Sequence, residues 1–552
     1  MSAGADMLIR NARVLTMDPD RPRAHAVAVR DGRVQALDAS AEALATPDTQ
    51  VIDAGGATVL PGFIESHMHL FMGGAELLHL PVHGIEGAAP LTEAVRDYAA
   101  RHPHLPLIIA QGAEYDMVGH PTTRADLDAV LPDRPLVLVA SDHHTAWANT
   151  AALRAAGILE GRALSPGNEI VMGADGLATG ELREFEAKAP VLALSGEDRC
   201  MAGIATGEDP DPAPTPEQFA ADVETMARGL AHCARYGITS IVNMDGNPYT
   251  LRVLAELRAQ GRLTARVRVP FHYRNHRSLE ALEIASRMTA DHADDWLASG
   301  MVKMFMDGVI DSGTAVMKQD YPDRPGWRGE PLFDAETFAA IATEADRRGL
   351  QIAVHAIGDG AVGRVIDGYA AARAANGRED VRHRIEHIEL IEPADIARMA
   401  ELGIVASVQP SHVPGTPEFP LQPTMDMIGR ERWGDAYLCR TLAEAGLALA
   451  FASDWPVADV NPLRGVQVAL TRQPYAGAAD ERLDLHAVLA GYTTGGAYAE
   501  HTEDRKGMLR VGYLADMVIL DGDIEAADPH AIAAMQVRRT ITGGRMVHEA
   551  AA

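Results

Sequence analysis

Cysteine is scarce: Cys200, Cys233 and Cys439 are three, an odd number, widely spaced in 552 residues. That excludes a disulfide framework and a cysteine-held zinc site. Positive charge is short as well, with 49 Lys and Arg against 77 Asp and Glu and a net charge of −28. There is no Lys/Arg run, and a nucleic-acid binder presents a basic face. The charge therefore argues against nucleic acid and anionic membranes as partners and favours solubility. No apolar stretch approaches membrane-spanning length, and the opening MSAGADMLIRNARV lacks the apolar core of a signal peptide. A reducing cytoplasm is the expected compartment. Aromatic residues make up 5% of the chain and offer no evident stacking platform for a substrate.

What is present is globular, with 47% hydrophobic and 23% charged residues. The length admits two to four ordinary domains, or one large barrel with additions. Residues 7–60 alternate and turn like a small β-region, with Asp31-Gly32 as a hairpin turn. Similar runs return at 515–524 and 537–549, and neither end has enough strands to bury a core alone. Both ends together, 1–60 and 505–552, are expected to form one β-sandwich around an inserted barrel spanning 61–504.

Between the ends, short apolar strands alternate with helical stretches, the signature of α/β with parallel strands. Asp334 reads as an N-cap, Phe338, Ile341 and Ala345 as one apolar face, and Gly349 as the stop before strand 351–356. Eight candidate strands, at 59–66, 238–244, 266–272, 301–306, 351–356, 384–389, 404–409 and 448–453, suggest a (β/α)8 TIM-like barrel. The interval 70–230 is too long for one crossover and is expected to hold an inserted subdomain or lid. Within it, the acidic, Pro-rich 207–218 reads as a solvated loop or linker. A second Pro-rich connection, 414–433, follows strand seven and either covers the active-site end or is a plain surface excursion.

The first barrel strand runs out in His67-x-His69, two imidazoles facing one side. Alone this spacing is unspecific. Later strands, however, also deliver ligand-type residues at or near their ends: Lys303, His355, His387 and Asp454. A closed parallel barrel gathers such positions at one face. Each has a plainer reading, Lys303 as a surface-seeking side chain and Asp454 as a helix cap in SDWP. The joint pattern favours a ligand set.

The runs PGFIESHMHL, Asp142-HHTAWAN149, VKMFMDG, VHAIGDG, RIEHIEL, SVQPSH, ASDWPV and GYLADMVILDGD extend almost end to end. Together they resemble the amidohydrolase superfamily, in its amidohydrolase-3 or YtcJ-like branch that includes formamide deformylases. The resemblance implies a distorted (β/α)8 barrel, a β-sandwich from both termini and a mono- or binuclear centre, with two Zn2+ per chain as the leading expectation and Mn, Co or Fe as alternatives. It implies that His67 and His69 hold the more buried metal and His355 and His387 the other. Lys303, carbamylated by CO2, would bridge them, and Asp454 would bind metal and act as base. Burial among cations favours the neutral lysine amine that can react with CO2, and the carbamate's two oxygens suit a pair of divalent ions.

Substrate contacts are softer. His144, with Asp142 and Trp147, is implied to reach toward the substrate or orient the lid, although here D-G-H has become Asp142-His143-His144. His412 in QPSH suits a polar contact to a substrate carbonyl or to a ligand, and Asp307 in FMDG suits loop organisation or substrate contact. His383 lies four before His387, and strand register favours His387 as the ligand. The expected activity is hydrolysis of a C–N, amide-type bond in a small organic molecule. Carbamate, cyclic-amide, ester or phosphoester hydrolysis on the same site is the alternative, and a non-catalytic scaffold is the rival of a different class. A homo-oligomer, with a dimer favoured, is expected on general grounds.

Overall fold

The computed structural model describes residues 4–165, 167–196, 207–416 and 419–551. Cys200 lies outside the described residues, as do Pro417 and Glu418 of the 414–433 connection. The chain is mixed α/β. No helix among the described residues is long and apolar enough to cross a membrane.

The site is carried by eight parallel strands: β1 (Phe63–Met68), β2 (Ile238–Asn243), β3 (Arg266–Arg268), β4 (Met301–Phe305), β5 (Gln351–Ala356), β6 (Arg384–His387), β7 (Val405–Val408) and β8 (Leu449–Phe451). They do not form the single closed ladder that the sequence suggested. One sheet runs Leu297–Ala298, β3, β2, β1, and the other Phe271–His272, β4, β5, β6, β7, β8. Two local causes account for the breaks. Pro270 has no N–H to give a ladder and interrupts the expected strand 266–272, so that Phe271–His272 pairs with β4 instead of extending β3. At the other seam β8 stops at Phe451, and a side chain stands in for the missing backbone partner. The Ser453 N–H donates to Glu65 Oε1 at 2.5 Å, and the Asp454 N–H then donates to the His67 carbonyl at 3.0 Å.

The expected strand 59–66 is likewise two. Thr58–Pro61 pairs with Met517–Leu520 in the terminal sheet, and β1 begins after Gly62. A Cβ on Gly62 would fall 2.2 Å from Thr239 Oγ1, so the chain passes from one sheet to the other where only glycine fits.

The chain's two ends meet in one sheet, and a second is built from the N-terminal end alone. One contains Arg33–Leu37, Val27–Arg30, Met7–Arg10 and Gln50–Asp53, and another joins Arg13–Leu15 and Thr58–Pro61 to Met517–Leu520, Val537–Thr542 and Arg545–Glu549. Ile9, Val14, Val27, Val59, Met517 and Ile541 belong to one buried cluster between them. Asp31 and Gly32 have φ of 50° and 72°, the conformation a tight two-residue hairpin turn demands.

The interval after β1 holds a separate six-stranded sheet, with Thr145–Ala148 flanked by Leu136–Ala140 and Ala178–Arg183. The chain returns through helix Pro216–Arg235, whose Thr215/Gln218 capping box fixes its start. This helix lies against helix Leu70–Glu76 at a glycine contact, since a Cβ on Gly74 would meet the Thr225 carbonyl at 2.4 Å. His69 is thereby anchored at the head of the shorter helix. The 207–215 loop is not simply solvated. Glu208 pairs with Arg277, and Asp209 accepts the Tyr249 N–H at 3.0 Å, which ties the loop to the ends of β2 and β3. Helix Ala335–Arg347 follows its sequence signals, with Asp334 accepting the Thr337 N–H at 2.8 Å and Gly349 at φ +81°.

Candidate metal centre

The strand ends converge on Asp454. Its Oδ1 lies 3.3 Å from His67 Nε2 and 3.3 Å from His69 Nε2, and Oδ2 is 3.9 Å from His387 Nδ1. The opposite ring nitrogens are already committed. His67 Nδ1 is 2.7 Å from Glu386 Oε2, and His69 Nδ1 is 2.7 Å from Asp245 Oδ1. A carboxylate can only accept, so each Nδ1 carries the proton and each Nε2 directs its remaining valence toward Asp454. Asp454 Oδ1 is buried without a hydrogen-bond partner among the described residues.

Charges of both signs meet at the cluster in a buried space. Burial, assisted by Lys303, holds His67 down at about 4, so its imidazole is neutral. His69 is pushed up to about 10 against its own burial, because Asp245 and Asp454 attract positive charge there. Burial alone would raise Asp454, but the surrounding histidines hold it well below the usual carboxylate range. Lys303 is fully buried, its Nζ 3.4 Å from His67 Nε2 and 4.5 Å from the Phe305 ring centre. Burial brings its amine down to about 8.

His387 is adjacent, its ring centre 4.8 Å from that of His67, with Nδ1 2.8 Å from Gln409 Oε1. His387 and Asp454 both adopt positive φ, 75° and 60°. Such backbone in non-glycine residues concentrates at functional sites. His355 is brought ring to ring with His387, 4.5 Å between centres, but its Nε2 turns to the Gly308 carbonyl at 3.1 Å. Among the described residues, two groups have donor atoms close enough to share an ion, His67–His69–Asp454 and His387–His412–Asp454. His412 therefore lies nearer the cluster than a distant substrate contact would, stacked on His387 and with Nε2 3.0 Å from the Ser453 carbonyl.

The remaining candidates separate. Asp307 spends its carboxylate on three backbone N–H groups, those of Val316, Ile357 and Gly358 at 2.8–3.0 Å, and so organises the loops after β4 and β5. Trp147 does not reach the cavity. It is buried in the inserted sheet, edge-on to Tyr115, because its alternation places it on the inner face. His144 does reach the cavity wall. His383 sits elsewhere, 3.3 Å from Asp346.

The supporting residues were the ones the motifs did not single out. Glu386 receives two bonds from Arg384, at 2.8 and 3.0 Å, and Arg384 Nη2 also donates to the Ser66 carbonyl at 2.7 Å and Ser407 Oγ at 2.8 Å. Alternation in Arg384-Ile-Glu386 gave a usable signal, since two charged residues on one face of a buried strand need partners. Asp245, following an apolar strand as Asp454 does, gave another. A cavity of about 800 Å3 opens over the cluster, lined on one side by Phe305, Phe333, Phe419 and Tyr437 and on the other by the inserted sheet.

The sequence pattern of the Amidohydrolase family matches residues 50–548, and the chain belongs to that family. It is 28% identical over 550 residues to YtcJ of Bacillus subtilis (strain 168), covering 97% of this chain and 98% of that one. It is 26% identical over 570 residues to N-substituted formamide deformylase of Arthrobacter pascens, covering 100% and 99%. Among solved structures, an uncharacterized metal-dependent hydrolase from Pyrococcus horikoshii OT3 superposes with a TM-score of 0.72 at 23% identity, covering 98% of this chain and 100% of that one. That likeness is one of fold.

Proposed function

We propose that this protein is a metal-dependent hydrolase that cleaves an amide-type C–N bond of a small organic substrate, with Asp454 as the base and acid. The observation that carries the reading is Asp454 Oδ1, buried and unpartnered, 3.3 Å from two imidazole nitrogens whose other nitrogens are held by carboxylates. His67 Nε2 and the Asp454 carboxylate present electron pairs to one point, and a metal ion taking the place of the His69 Nε2 proton would be held by all three; His/carboxylate donors fit zinc, manganese, cobalt or iron. His67, His69 and Asp454 would hold one ion. His387 and His355 would serve a second, with Lys303, as a carbamate, between them; a buried amine titrating at about 8 is available for that reaction. On this reading the two parallel sheets are halves of a distorted (β/α)8 barrel, 1–60 and 505–552 make the accompanying sandwich, and 70–230 is the inserted lid.

A divalent ion supplies a water of lowered pKa, near 7, and a Lewis acid for a carbonyl oxygen. The chain's own work is proton transfer and orientation. Asp454 takes a proton from the attacking water and returns it to the nitrogen as the C–N bond breaks, leaving a carboxylic acid and an amine. The Asp245 and Glu386 carboxylates keep both imidazole rings in one tautomer throughout.

The full-length likeness to a formamide deformylase supports an amide. The cavity's charge speaks against a phosphoester: Asp142, Asp311, Glu330 and Glu389 line it, with Lys188 and Arg274 as the only Lys or Arg among the described residues. The test is metal content per chain, wild type beside Lys303→Ala, followed by a panel of N-substituted amides and formamides. About two equivalents falling to one or fewer supports the bridged pair. One equivalent in both proteins removes the bridge. No metal in the wild type and no turnover of the panel after metal addition removes the hydrolase reading.

A further inference from the structure

The cavity has a second polar wall, contributed by the inserted sheet and facing the His/Asp cluster. Thr145 and Arg183 are antiparallel partners, so the residues just beyond them, His144 and Glu184, come side by side. The Glu184 N–H donates to the His144 carbonyl at 2.7 Å, and His144 Nδ1 lies 2.9 Å from Glu184 Oε2. The other Glu184 oxygen accepts from Thr314 Oγ1 at 3.0 Å, on the loop that follows β4. The His144 backbone N–H is fixed in turn by Asp142 Oδ1 at 2.8 Å. The ring is thus held through Glu184, which Thr314 of a barrel loop fixes in turn, while Asp142 and the Glu184 N–H fix the His144 backbone.

Neighbouring histidines show what a purely structural role looks like here. His143 has Nε2 2.9 Å from Glu76 and Nδ1 3.1 Å from the Ser141 carbonyl, so both nitrogens are spent. His144 has spent one. Its Nε2 has no partner among the described residues, the residue lines the cavity, and its ring centre is 6.0 Å from that of His355. A ring oriented by a carboxylate, with its free nitrogen presented to a cavity beside a reaction centre, is the general arrangement of a catalytic imidazole.

We propose that His144 is a catalytic residue whose Nε2 hydrogen-bonds the amide head of the substrate from the lid side, and that Glu184 is the positioning residue that fixes its ring. This rests on the hydrolase reading and adds to it the source of the second wall. The inserted sheet supplies a reacting-site residue, and Glu184, in the run GELRE, belongs to the site although no motif pointed to it.

The experiment uses metal-loaded full-length protein and benzohydroxamate, an amide-like probe, titrated calorimetrically into wild type, His144→Ala, Glu184→Ala, Glu184→Gln and the His144→Ala/Glu184→Ala double variant. Metal content and turnover of the amide panel are recorded in parallel. Loss of one hydrogen bond predicts about tenfold weaker probe binding in His144→Ala, and a comparable loss in Glu184→Ala with metal content unchanged. Glu184→Gln, which can still accept from Nδ1, should stay within about threefold of wild type. The double variant should bind no more weakly than His144→Ala, because two residues acting as one unit are non-additive. Unchanged probe binding in His144→Ala overturns the proposal. So does loss of metal in that variant, which would assign the ring to the cluster, and so does a wild type that does not bind the probe. If probe binding falls as expected while wild type cleaves none of the panel, the contact stands and the hydrolase reading falls.

Discussion

Asp454→Asn is expected to lower turnover of the panel's best amide by about 10²–10⁴-fold, the usual contribution of a positioned acid–base group, while the protein still folds and still takes up metal. Asn is the right test because of the backbone. Asp454 sits at φ 60°, where Asn is tolerated and Ala is strained. The substitution also leaves the Asp454 N–H bond to the His67 carbonyl, at 3.0 Å, untouched. What it removes is an oxygen able to accept a proton and pass it on. Rates are read with metal content measured on the same samples, so that loss of the base is separated from loss of the ion. Turnover within a few-fold of wild type would remove Asp454 as the base and leave it only as a donor to the ion.

Much of this site was legible before any coordinates, because strand ends punctuate the sequence. A short strand carrying His, Lys or Asp at or near its end reads the same way at His67, Lys303, His355, His387 and Asp454, and the fold brings all five together. What the sequence hid were relations between distant residues of ordinary type. Glu65 looked like one more strand residue, yet its carboxylate holds Ser453 across the open seam, where burial pushes it up to about 8. Pro270 was visible, but its consequence, a strand divided between two sheets, depends on which neighbour has an acceptor free. Trp147 was misplaced for a related reason. A motif gives spacing, whereas which face of the inserted sheet meets the cavity is set by packing against Tyr115. Glu184 was invisible for want of periodicity, since its meaning comes from a cross-strand neighbour forty residues earlier.

Glu386→Ala is expected to destabilise the protein by about 3–5 kcal/mol, the range for breaking a buried ion pair by removing one partner, and to weaken metal retention as well. Both effects follow from one position. Glu386 is fully buried beneath the cluster, and against the cost of burial the charge of Arg384 and the hydrogen bond from His67 hold its carboxyl down to about 2, so it is ionised. Truncation leaves the buried Arg384 guanidinium with only the Ser66 carbonyl and Ser407 hydroxyl as partners among the described residues. It also leaves His67 Nδ1 without the acceptor that fixes its tautomer. The two consequences separate in the Arg384→Met/Glu386→Leu double variant. Replacing a buried pair by apolar residues of similar volume is often neutral or stabilising, so the melting temperature should return toward wild type. Metal retention against a competing chelator should not return, because His67 still lacks its partner. Thermal unfolding and chelator competition on wild type, single and double variants decide it. A single variant that melts with wild type would mean that Arg384 finds other acceptors, and a double variant that regains metal would mean that the ring is oriented by packing against its neighbours and not by the carboxylate.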